Sequence, residues 1–85
     1  MARIIDGKYK NMIGTNVRKY RRIRKMSQQT LSNKLETMAI YICRGSVSRI
    51  EDLSRTVTDI ELYGLANVLG VSVLALYDED LFGGD

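Results

Sequence analysis

Ser46-Val47-Ser48-Arg49-Ile50-Glu51 is the stretch whose reading decides the fold of this 85-residue chain. Val47 and Ile50 stand three apart, on one side of a helix, while Ser48 and Arg49 fall on the other. The spacing predicts a short helix over about 44–52, with two aliphatic side chains inward and Arg44, Ser48 and Arg49 outward. Upstream runs Met26-Ser27-Gln28-Gln29-Thr30-Leu31. Ser27 is a good N-cap, and Met26 sits where a hydrophobic staple packs against Leu31. A helix over about 28–35 follows, with Leu31 and Leu35 one turn apart on its buried side.

Working outward, Asn11 is placed to cap a first helix that runs to about Lys25, its inner face made by Ile13, Val17, Tyr20 and Ile23 or Arg24. Thr58-Asp59-Ile60-Glu61 has the form of a capping box opening a fourth helix. Its apolar stripe is Ile60, Leu62, Leu65, Ala66 and Leu69, and Gly70 ends it. Ser72 caps a fifth helix over about 73–80, packed by Val73, Leu74, Leu76 and Tyr77. Met38-Ala39-Ile40-Tyr41-Ile42 is apolar and β-branched but too short for a strand pair, so it reads as an extended turn tucked against the core. Its apolar neighbours favour a core position for Tyr41 over a phosphate contact. The expectation is an all-α, compact five-helix domain over 11–80, with an N-terminal arm at 1–10 and a frayed end at 81–85.

Composition bounds the chemistry. A chain of this length buries one small core, roughly 60–65% of its unfolded surface. Proline and histidine are absent and Cys43 is the single cysteine, so neither an internal disulfide nor a Cys/His metal site is available. No apolar run approaches the roughly 20 residues of a membrane span, and the opening residues lack an apolar signal core. A soluble, unprocessed protein of the reducing cytoplasm is expected, with no membrane partner. With no histidine, no Gly-rich phosphate loop and no paired carboxylates, an enzyme is not expected, nor a cofactor. Cys43 at a helix start invites a redox role, but a small buried thiol is the commoner case.

Charge is divided along the chain. Residues 1–34 hold ten Lys and Arg against Asp6, and residues 35–85 hold Arg44, Arg49 and Arg55 against nine acids. Opposite fields on different faces follow, the basic one suited to a polyanion.

Several of these elements carry a resemblance. Ile13-Gly14 with Val17-Arg18, Ser27-Gln28-Gln29-Thr30-Leu31, Ser48-Arg49-Ile50-Glu51, and Leu65-Ala66-Asn67-Val68-Leu69-Gly70-Val71-Ser72 resemble, in that order, the Cro and phage-repressor type (XRE-like) helix-turn-helix domain. The likeness covers about residues 11–78. One departure is the connection between helices two and three, about five residues longer than usual, with Tyr41-Ile42-Cys43 where a small residue is expected.

The resemblance implies a sequence-specific, DNA-binding transcription regulator, with helix three in the major groove of double-stranded DNA and helix two crossing the backbone. Arg44, Gly45, Ser48 and Arg49 are then the base-reading candidates; an Arg fork suits guanine, and Gly45 permits close approach. Ser48, a short donor, reaches a phosphate equally well. Gln28, Ser46, Arg55 and Thr56 are the phosphate candidates. Arg21 and Glu51 match a structural salt bridge between helices one and three. A homodimer on an inverted repeat is expected, through a surface around Tyr63, Leu74, Tyr77 and Phe82. The competing expectation is a protein-interaction module, an antitoxin or adaptor that keeps the fold while its acidic half binds a protein partner.

Overall fold

The computed structural model describes residues 9–77. It contains four α-helices, α1 (Gly14–Ile23), α2 (Gln28–Glu36), α3 (Arg44–Glu51) and α4 (Asp59–Leu69), followed by a single 3₁₀ turn at Leu74–Leu76. No strand occurs among the described residues. Residues 1–8 of the arm expected at 1–10, the end expected to fray at 81–85, and Phe82 lie outside them; the Lys10 N–H donates to the Leu53 carbonyl at 2.9 Å. Where a fifth helix over about 73–80 was expected, residues 74–76 form one 3₁₀ turn and Tyr77 is already extended. Leu74 points outward there, 76% exposed, and only Leu76 is fully buried.

The core is assembled from Ile13 and Val17 of the first segment, Leu31 and Leu35 of α2, Val47 and Ile50 of α3, Leu65, Ala66 and Leu69 of α4, and Leu76. Ile40 and Ile42 of the connection join it. α2 packs on α3, α1 crosses α3 and α4, and the 3₁₀ turn returns to α1. Asn16 Nδ2 holds that turn by donating to the Leu76 carbonyl at 2.9 Å.

Two of the four helices, α2 and α4, begin with the side-chain caps their sequence predicts. Ser27 Oγ accepts from the Thr30 N–H, and the Thr58–Glu61 capping box is complete in both directions. Asn11 lies three residues before α1, yet its Oδ1 accepts from the N–H groups of Ile13 and Gly14. The same amide donates to the carbonyls of Ile50 and Arg55, tying the start of α1 to the end of α3. The helices are closest there: a Cβ on Gly14 would lie 1.8 Å from the Ile50 carbonyl oxygen.

All four helices end in the same way. Lys25, Ala39, Leu53 and Gly70 adopt positive φ after α1, α2, α3 and α4. The next N–H returns to a carbonyl five residues back in each case: Met26 to Arg21, Ile40 to Leu35, Ser54 to Arg49, Val71 to Ala66. This is the Schellman arrangement, with glycine in the left-handed position only once.

Three inward placements expected from spacing are corrected. Ile23 is 56% exposed, because α1 ends there and the chain turns. Arg24 caps a neighbour instead, its Nε donating to the Leu69 carbonyl at the end of α4, where the helix dipole favours a cation. Ile60 is 66% exposed in the first turn of α4, on the side away from the core.

Candidate nucleic-acid interface

α3 presents two faces. Val47, Ile50 and Glu51 are buried, and Arg44, Gly45 and Arg49 are exposed, with Ser46 and Ser48 half-buried at the borders. Cys43 is the N-cap residue but gives no side-chain cap hydrogen bond.

Glu51 anchors this helix. Its side chain is fully withdrawn from solvent and accepts from Arg21 Nε at 2.6 Å and Nη2 at 3.0 Å, from Gln28 Nε2 at 3.1 Å and from Arg18 Nε at 3.4 Å. Arg21 Nη1 also donates to the Met26 carbonyl at 2.8 Å. One carboxylate thus joins α1, the start of α2 and the end of α3. Burial alone would raise its pKa; hydrogen bonds from Arg21 and Gln28 and the Arg21 charge outweigh that and hold it below the ordinary value. Arg18 is a partner of Glu51 that spacing alone did not single out. Its position three residues before Arg21 was the available signal.

The base-reading candidates share the outer face. Arg44 has no hydrogen-bond or ion-pair partner among the described residues. Gly45 opens on free space: a Cβ there would meet only Arg49 Nη1, at 3.6 Å. Gly45 is the second residue of α3, and nothing packed around it requires glycine. Arg49 Nη2 donates to Ser46 Oγ at 3.0 Å, and the Cys43 thiol approaches the same oxygen at 3.4 Å. Ser48 makes no side-chain hydrogen bond among the described residues.

The phosphate candidates are scattered and mostly occupied. Gln28 is turned onto Glu51, and Ser46 buttresses Arg49. Arg55 forms a two-pronged pair with Glu61, 3.0 Å at each contact, and donates to the Thr56 carbonyl at 2.9 Å. Glu61, already the capping-box carboxylate, is held low in pKa first by Arg55, and Arg55 is raised in turn. Thr56 is exposed.

Two residues of the connection differ from expectation. Tyr41 is 76% exposed, because Ile40 and Ile42 on either side of it take the inward positions. Cys43 is exposed too; hydrogen bonding with Ser46 comes first among the causes that lower its pKa. Among the described residues no helix is long and apolar enough to cross a membrane, and no cluster of His, Cys, Asp and Glu could hold a metal ion.

Comparison with solved structures finds the crystal structure of the DNA-binding domain of BldD. It superposes with a TM-score of 0.68 over 87% of this chain and 100% of that one, at 24% identity. The two chains share a fold. No protein-family model and no curated protein matches this chain.

Proposed function

We propose that this chain is a sequence-specific transcription regulator of the Cro and phage-repressor type, with α3 in the major groove of double-stranded DNA. The observation that carries the reading is the outer face of α3. Arg44 is left unpartnered, Gly45 is a helical glycine without an internal reason, and Arg49 is held in place by Ser46. Guanine offers its O6 and N7 to an arginine fork, and the bare Gly45 backbone lets the helix approach the base edges. Ser48, on the same side as Arg44, supplies a short donor.

Backbone contacts fall to Gln28 with the N–H groups that open α2, to Thr56, and to the N–H groups that Arg55 keeps free of Glu61. Ser46 acts chiefly through Arg49. The neighbour's name speaks of DNA binding, and the shared fold supports the same partner here. Two copies on an inverted repeat would supply the affinity that one eight-residue helix lacks. The exposed Tyr63 and Leu74 support a dimer through the C-terminal third. Tyr77 is packed against the core and fits that surface poorly.

Selection of duplexes from a random pool tests the proposal: a recovered palindrome supports both site and dimer. Arg44→Ala and Arg49→Ala should each lose about 1–3 kcal/mol of discrimination at one base pair. Recovery of no preferred sequence, with those variants still capturing a protein partner, would instead support an adaptor whose acidic half does the binding.

A further inference from the structure

Large exposed apolar side chains occur in two different charge settings on the described surface. Ile60 and Tyr63 stand on α4 near Asp59, where Glu61 is already paired with Arg55, whereas Tyr41 lies in a stretch, residues 37–50, with no Asp or Glu, and Ile23 lies among Arg22, Arg24 and Lys25. The stretch around Tyr41 carries Arg44 and Arg49, and Glu51 at its far end is buried and neutralised by Arg21. The charge around Tyr41, set by Arg44 and Arg49, suits a polyanion.

The backbone fixes where Tyr41 stands. The Ile40 N–H is bound to the Leu35 carbonyl at 3.1 Å, and the buried Ser32 hydroxyl donates to the Ile42 carbonyl at 2.6 Å. Between these two ties, alternation directs the Tyr41 side chain outward. Tyr41 is three residues before Arg44, so its Cα lies within about 10 Å of the start of α3. The major groove is about 12 Å wide, so a side chain within that distance of a helix start in the groove has its phosphate-lined wall within reach.

We infer that Tyr41 is a DNA-backbone contact, its phenolic O–H donating to a phosphate oxygen on the wall of the groove that α3 enters. The inference rests on the reading of α3 proposed above and adds the long connection to the binding surface. Tyrosine supplies the donor without a charge, so it should fix the height of α3 in the groove without sequence preference and without counterion release.

Tyr41→Phe and Tyr41→Ala test this against the selected duplex and a random duplex over a range of salt. Both variants should melt as the wild type does, since the side chain is exposed. Tyr41→Phe should weaken binding to both duplexes by about two- to tenfold, with the salt slope unchanged and one ethylated phosphate per half-site losing its interference. Wild-type affinity and an unaltered interference pattern in Tyr41→Phe would overturn the inference. A changed sequence preference in Tyr41→Ala alone would overturn it in favour of a base contact, and a changed oligomeric state in favour of a protein surface. If the wild type binds no duplex at all, the reading of α3 fails, and this inference with it.

Discussion

Glu51 of α3 accepts two hydrogen bonds from Arg21 of α1, at 2.6 and 3.0 Å, with its side chain wholly out of solvent. The pair sets the angle between the helix that would read DNA and the helix behind it. Glu51→Gln leaves Arg21 buried without a counter-charge, and a loss of about 3–5 kcal/mol in urea unfolding at neutral pH is expected. The pH dependence has a definite sign. Because the folded-state pKa is lowered, the stabilisation is complete above the ordinary carboxylate value of about 4.3 and disappears as pH falls through the lower folded value. The wild type should therefore lose stability in acid more steeply than Glu51→Gln, in which Glu61, lowered in the same direction, remains.

Gly14 and Gly64 are both closely approached, but by different atoms. A Cβ on Gly14 meets the Ile50 carbonyl oxygen at 1.8 Å, and one on Gly64 meets the tip of Ile40. Backbone cannot step aside as a side-chain methyl can. Gly14→Ala should cost at least about 1–3 kcal/mol and Gly64→Ala clearly less, measured by thermal melting. The reverse order would contradict the assignment of the α1–α3 crossing as the tighter one.

Gly45→Ala should separate stability from binding. With open space around this first-turn position, the variant gains at most about 0.5–1 kcal/mol of helix stability while its affinity for the selected duplex falls. Parallel melting and titration experiments check both halves; unchanged affinity would remove close approach as the reason for this glycine.

Ala39 holds a left-handed conformation, φ 60°, at the end of α2. Glycine relieves about 1–2 kcal/mol of strain there and returns somewhat less through the entropy of the unfolded chain. Ala39→Gly should stabilise by about 0.5–1 kcal/mol on that balance, with DNA affinity unaltered, as equilibrium unfolding and titration can show.

The helices whose starts carry side-chain signals were legible from sequence: Ser27 and the Thr58–Glu61 box place α2 and α4, and Val47 with Ile50 places the inward face of α3. Legibility failed where tertiary contacts supply the partner. Arg55 reads as a loop cation until Glu61 closes on it, and Arg24 reads as part of a stripe until the end of α4 takes its guanidinium. Three of the four left-handed helix ends lack glycine, so composition did not announce them. The outward Tyr41 was within reach: Ile40-Tyr41-Ile42 already has the two-residue period of an extended chain, but the apolar character of the whole run outweighed it.

Ser32 and the Ile42 carbonyl, 2.6 Å apart and buried, close the seven residues between α2 and α3 onto the helix they leave. The connection is long but tied down, which favours a fixed placement of α3 on α2. On the reading proposed for α3, docking on DNA would then order little of the motif, at small entropic cost. Differences in affinity between related operators should accordingly appear as differences in residence time, with association rates nearly constant across them.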